Sequence, residues 1–308
     1  MNVLYPSIAL IFGFLSILTN GLSCLVFYRN LTLTFGSPII YYFVTLTCMY
    51  LVKGIVTVCW SVSALFASDD EKVFFSIGRC AYWTTALSLF LTLLAMVVER
   101  YINTCSLKHV QWLRARKKVH TYFCLIIVVF SLICGLLVAL ENTGCYVEFF
   151  ICVVAEIAFI ITIFFYIRLW LSQRSQAQGN ARRDAATHIT NTCKSQFGGH
   201  RRLNIIVLCY VIATLVTVLP FFVAFQVKVV HVLFNENSGV EGHLAKLLEI
   251  YPMFTCLCYG LTPLFYLFVL PRYRKCLLML VTCRDARQIT LNGSTHDSEE
   301  TTSCADLV

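Results

Sequence analysis

The sequence predicts an all-α membrane protein, a seven-transmembrane helix bundle with a short amphipathic eighth helix. Three observations lead there. Seven apolar runs, each long enough to cross a bilayer, fill most of the 308 residues. The chain is 58% hydrophobic and only 13% charged, with a mean hydropathy of +0.76, whereas a soluble domain carries about twice that share of charge. The basic residues, finally, collect at the ends of alternate connections.

The runs cover about 6–27, 39–66, 80–98, 121–140, 148–171, 203–227 and 247–270. A helix rises about 1.5 Å per residue, so about 20 apolar residues cross a hydrocarbon core of about 30 Å. Lipid offers no hydrogen bond to a bare peptide group, which leaves helices or closed barrels as spanning structures. Long runs without alternation choose the helix. The first run has no basic leading segment and exceeds the apolar part of a signal peptide, so it reads as a span. The connections are too short for a separate soluble domain. The expected organisation is a helical unit over 1–283 and a polar, disordered cytoplasmic tail over 284–308, whose composition cannot bury a core.

Nineteen of the 24 Lys and Arg lie on one side of this arrangement. Lys72, Arg79, Lys228 and Lys246 lie on the other, and Lys53 falls inside the second run. Basic loops stay cytoplasmic, so the expectation is a multi-pass plasma-membrane protein with its N-terminus outside and its C-terminus inside. The net charge of +8 then faces anionic membrane lipid. Nucleic acid is disfavoured, because the basic residues follow span ends and form no compact basic domain. Asn30-Leu31-Thr32 and Asn292-Gly293-Ser294 fit the glycosylation pattern, but both fall on the cytoplasmic side and are expected to stay unmodified.

Individual spans carry unusual residues. The third ends in Val97-Val98-Glu99-Arg100-Tyr101-Ile102. An acid–arginine pair at the membrane edge is either a snorkelling stop or a functional group. Pro220 interrupts the sixth run, and Pro263 lies near the inner end of the seventh in Thr262-Pro263-Leu264-Phe265-Tyr266. A proline removes one backbone donor and kinks a helix, so both spans are expected to bend. The basic amphipathic stretch Pro271-Arg272-Tyr273-Arg274-Lys275-Cys276 follows.

These features, in this order, resemble the rhodopsin-like (class A) G-protein-coupled receptors over about residues 6–283, and Asn20-Gly21 in the first span adds to the likeness. The run Val97–His109 is similar to the odorant-receptor branch, especially that of fishes. The resemblance implies a receptor, not an enzyme, that needs no cofactor or metal. It implies a small-molecule ligand, a heterotrimeric G protein as partner, and a tail suited to a receptor kinase and arrestin. Glu99, Arg100, Tyr101, Pro220, Pro263 and Tyr266 take the places of its coupling switch. The ligand region, placed by distance from Arg100 and the prolines, holds Tyr82, Trp83, Ala86, Phe221, Phe222, Phe225, Pro252 and Cys256. This set is aromatic and apolar, which suits a small hydrophobic molecule, or else it is helix packing alone. The third span has no aspartate there, which disfavours an amine ligand.

The chain also departs from the family. Tyr50 stands where the second-helix aspartate is expected, Thr262 replaces the seventh-helix asparagine, and Val218 replaces the sixth-helix tryptophan. Ala158 occupies the usual proline position of the fifth span if Tyr166 is its conserved tyrosine, and the fourth span has no tryptophan. His200-Arg201-Arg202 lies where an acid often holds the arginine, implying a weak inactive-state lock and raised basal signalling. The same losses fit a non-signalling receptor.

Sixteen cysteines suggest a disulfide scaffold by count, but most lie within spans, where a thiol is a small packing group. The resemblance implies a bridge between Cys80 and Cys145, with Cys152 as competing partner. Cys276 and Cys283 sit beside basic residues at the membrane face and are either palmitoylated or simply packed. Among the ionisable residues inside the spans, Lys53 is expected to pair with Glu156 or Glu249 or to bind an acidic ligand. The 173–202 connection reads as a polar, basic loop, and Asp306-Leu307-Val308 is a short match to a C-terminal strand-addition motif. The rival classes are weaker. No repeat between halves suggests a transporter, and no His-Glu-x-x-His or glycine-flanked serine suggests a membrane enzyme.

Overall fold

The computed structural model describes residues 4–34, 39–66, 71–104, 117–140, 146–186, 192–234 and 240–282. Within them, the backbone alone is described at 30–34, 71–75, 117, 176–177, 179–186, 192–202, 231–234, 240–254 and 272. Nearly all the described residues are helical: α1 (Leu4–Thr34), α2 (Ile39–Leu65), α3 (Glu71–Thr104), α4 (Lys117–Leu140), α5 (Tyr146–Ala186), α6 (Thr192–Thr217), α7 (Leu219–Phe234), α8 (Val240–Val269) and α9 (Pro271–Val281). Six stretches are long and apolar enough to cross a membrane: Leu4–Arg29, Ile39–Leu65, Ser76–Thr104, Lys118–Leu140, Tyr146–Ser175 and Leu203–Val230, the last running through α6 and α7. In α8 the apolar helix with described side chains is the shorter Thr255–Val269.

The helices outrun the apolar runs at the basic side. The 173–202 connection, expected as a loop, is largely helix, because α5 continues to Ala186 and α6 begins at Thr192. Its sequence is rich in Gln, Arg and Ala, which sustain a helix beyond the lipid.

The third helix is the axis of the bundle. The most apolar window of its span is 72% buried, against 33% for those of α1, α4 and α5. It packs against α2, α4, α5 and α6, while α1 packs on α2 and α8, and α9 lies against α1 and α8. The outer faces of α4 and α5 expose Phe123, Ile126, Ile133, Leu137, Phe150 and Ile160. So large an apolar surface is untenable in water and natural in lipid.

Small residues set the closest approaches, as is usual where lipid removes the hydrophobic drive between helices. A Cβ at Gly135 of α4 would lie 2.0 Å from Thr84 Oγ1 and 2.7 Å from the Cys80 carbonyl oxygen of α3. One at Gly13 of α1 would lie 2.8 Å from Val58 Cγ2 of α2.

The two prolines behave differently. At Pro220 the helix breaks: Val218 forms a turn between α6 and α7, with Phe222 N donating to the Val218 carbonyl at 3.2 Å. At Pro263 the helix runs on without interruption, with no turn like that at Val218. The helix α9 starts with Pro271 at its first turn, where a missing amide hydrogen costs nothing.

Candidate functional site

The C-terminal end of α3 holds a buried ion pair. Arg100 Nε donates to Glu99 Oε2 at 2.6 Å and Arg100 Nη2 to Glu99 Oε1 at 2.8 Å. The two residues are 1% and 5% exposed. Such a two-pronged, charge-assisted contact is strong and strictly oriented. Asn103, one turn on, donates its amide to the same carboxylate. Neither charge snorkels to water, so the simple stop-transfer reading does not describe this pair. Tyr101 points elsewhere, packing its ring against Phe165 of α5 with centroids 5.3 Å apart.

An aromatic network lies at the same end. Tyr266 of α8 shares a hydroxyl–hydroxyl hydrogen bond with Tyr210 of α6. Its ring meets Phe43 of α2 at 5.3 Å, Phe27 of α1 at 5.4 Å and Tyr273 of α9 at 5.6 Å. The Tyr273 hydroxyl closes the set with Ser23 Oγ of α1 at 2.8 Å. Five helices thus converge on one tyrosine. Sequence reading found Tyr266 but gave no role to Tyr210, whose hydroxyl inside an apolar run was the available signal, or to Tyr273 in the basic stretch that follows the last run. Beside Glu99 a cavity of about 190 Å³ opens between α2, α3 and α4, where the Tyr42 hydroxyl meets His120 Nδ1 at 3.0 Å.

Asn20 joins α1 to α8. Its amide donates to the Ser16 carbonyl at 2.9 Å and to the Tyr259 carbonyl at 3.1 Å. Thr19 Oγ1 adds a bond to the Gly260 carbonyl at 2.7 Å. Tyr50, in the position where the resemblance puts an aspartate, stacks on Tyr259 with centroids 4.4 Å apart.

The half of the bundle at the N-terminal end of α3 holds an aromatic cluster around Trp83. Phe225 lies 5.2 Å away, Tyr82 5.5 Å, Phe222 5.7 Å and Phe221 6.1 Å, joining α3 to α7 immediately past the Pro220 break. Tyr82, Trp83, Ala86, Phe221, Phe222 and Cys256 are buried, so the structure does bring these predicted ligand residues inward. Pro252 lies on α8, but its side chain is outside the described residues.

Above this cluster stands a polar clasp that sequence reading missed. Glu148, in the first turn of α5, accepts from Arg79 Nη2 at 2.6 Å, from Arg79 Nε at 3.1 Å and from Trp83 Nε1 at 2.9 Å. It ties the N-terminal end of α3 to α5. The available signal was one acid and one base at the same membrane face on two spans. Cys80 is a free thiol 4.0 Å from Thr84 Oγ1, Cys152 is a buried free thiol, and Cys145 lies outside the described residues. Cys276 is buried in the inner core; Cys283 and the tail lie outside the described residues.

Lys53 does not pair with Glu156, contrary to one expectation. The carboxylate of Glu156 accepts instead from Gln226 Nε2 of α7 at 3.0 Å. The Lys53 ammonium sits over the ring of Tyr82, 4.8 Å from its centroid. The side chain of Glu249, the other expected partner, is outside the described residues. Rotation about α2 explains the difference, since it turns Lys53 toward α3 and α8 and away from α5. Among the described residues no three His, Cys, Asp or Glu side chains converge as a metal site.

No protein-family model matches the chain, and no curated protein matches it.

Proposed function

We propose that this chain is a seven-crossing receptor of the rhodopsin-like type, N-terminus outside and C-terminus cytoplasmic in the plasma membrane, in which α8 is the seventh crossing and α9 the membrane-surface helix. A small odorant-like molecule binds the outer aromatic cluster, and a heterotrimeric G protein docks at the inner end. The observation that carries this reading is the buried Glu99–Arg100 pair, set at the inner end of the most enclosed helix. Burying two charges is expensive, and apolar residues of similar volume pack as well or better. A pair kept there fits a switch more readily than a strut.

The carboxylate that holds Arg100 is its own neighbour. A lock within one helix does not need an acid on α6, so the raised basal signalling implied by the sequence does not have to follow from the basic run at 200–202. A ligand shifts the equilibrium only if it binds the active arrangement more tightly. The path between the two ends runs from Trp83 through Phe222 and the Pro220 break into α6, whose Tyr210 meets Tyr266.

The test is ligand-evoked nucleotide exchange in cells carrying a promiscuous G protein and an odorant panel. Arg100→Ala is expected to abolish the evoked response at unchanged surface expression, and Glu99→Gln to raise basal exchange several-fold. An evoked response that survives Arg100→Ala overturns the reading.

A further inference from the structure

We propose that Lys53, Tyr82 and Tyr259 form an anion cradle for the carboxylate of a small molecule whose apolar body lies against the Trp83, Phe221 and Phe225 rings. This rests on the outer half of the bundle being a ligand site, and it names the ligand class.

Lys53 lies in the middle of α2 and is 6% exposed. An ionisable group at membrane depth normally faces a partner or a water-filled cavity. No described carboxylate serves Lys53. Glu99 is taken by Arg100, Glu148 by Arg79 and Trp83, and Glu156 by Gln226. The contact that Lys53 makes is with the face of the Tyr82 ring, and a cation–π contact does not repay the desolvation of an ammonium.

Two further donors stand unspent on the helices beside it, one of them on the tyrosine whose ring the ammonium covers. The hydroxyls of Tyr82 and Tyr259 are buried without a hydrogen-bond partner, and their residues are 7% and 4% exposed. Buried phenols ordinarily find one. Tyr259 of α8 stacks on Tyr50, one turn before Lys53 on α2. Cys256, one turn before Tyr259, donates its thiol to Thr57 Oγ1 at 3.9 Å, one turn after Lys53. α2, α3 and α8 thus contribute an ammonium and two unpartnered phenol hydroxyls, all able to donate. Such a set complements the acceptor-only oxygens of a carboxylate, offers a neutral alcohol less, and repels an amine.

The body of the ligand is set by what adjoins the cradle. The ring of Tyr82 touches Phe221 at 5.1 Å and Trp83 at 5.5 Å. The neighbours of the Tyr82 ring are themselves aromatic, so the matching molecule is one carboxylate on an apolar chain or ring.

Direct binding tests this without any G protein. The full-length receptor, purified in nanodiscs, is titrated with hexanoate, phenylacetate, hexan-1-ol and hexylamine, following its thermal stability. The carboxylates are expected to raise the melting temperature saturably, and the alcohol and the amine to bind at least about tenfold more weakly. Lys53→Met is expected to weaken hexanoate by at least about tenfold, and Tyr82→Phe and Tyr259→Phe each by about three- to tenfold, with Lys53→Arg retaining binding. Alcohol binding equal to carboxylate binding, no carboxylate binding at all, or an unchanged affinity in Lys53→Met overturns the cradle. If Lys53→Met does not fold, an unchanged affinity in both phenylalanine variants does so. Loss of the cradle with an intact Arg100-dependent response would leave the receptor reading standing, and the reverse pattern would leave the cradle.

Discussion

A proline at 263 removes the amide hydrogen that the Tyr259 carbonyl, four residues earlier, would otherwise accept. In lipid that oxygen needs another donor. Asn20 supplies it from α1, at 3.1 Å. One asparagine therefore repairs one proline, and α8 continues as an unbroken helix. Asn20→Leu should remove the bond and lower stability by about 1 kcal/mol, the usual size of an interhelical hydrogen bond in a bilayer. Unfolding of the purified protein would measure it. A Pro263→Ala background should shrink the effect, because the backbone then supplies its own donor. Asn20 and Pro263 are each visible in the sequence, but their partnership is not, since 243 positions separate them and no periodicity relates them.

Between helices, the fit depends on where glycine stands. Gly135 lets α4 close on α3, and the atoms a Cβ would meet there include the Cys80 backbone, which cannot swing away. Gly135→Ala should therefore destabilise by about 1–3 kcal/mol, as overpacking does. Gly78, on α3, has nothing within 4 Å of its would-be Cβ. Gly78→Ala should instead stabilise by up to about 1 kcal/mol through helix propensity. Opposite signs from two identical substitutions, read as melting temperatures of the purified variants, are the check. Element by element, the apolar runs were legible because lipid imposes their length. The ends on the basic side were not, because helix propensity carries α5 and α6 on where hydropathy stops. The break at Val218 could be placed from Pro220, whereas the continuity at Pro263 required knowing that α1 lies alongside.

For the whole molecule, the distribution of Lys and Arg predicts that the 105–116 and 187–191 connections face the cytoplasm and the 67–70, 141–145 and 235–239 connections face outward. Glycosylation acceptor sites inserted into each should be modified in the second group and silent in the first. A modified site at 187–191 would invert the orientation and with it the proposed receptor. The candidate site followed the same division. Glu99 and Arg100 stood out as an ion pair at the end of an apolar run, and Tyr266 through the motif around Pro263. The Arg79–Glu148–Trp83 clasp and the role of Tyr210 did not, because each joins residues from separate helices.

By itself the sequence determined the solvent of this protein, the helical choice, the lengths of the spans and the side on which the charge gathers. All of these follow from one-dimensional quantities: apolar length, the period of a helix and the placement of Lys and Arg. Only the tertiary structure decided which polar groups meet, as when Lys53 rests on Tyr82 while Glu156 turns to Gln226. The reason is geometric. Periodicity puts a residue on a face, but its partner depends on how far neighbouring helices are rotated and how closely they approach, and contacts such as Gly135 against Thr84 fix that.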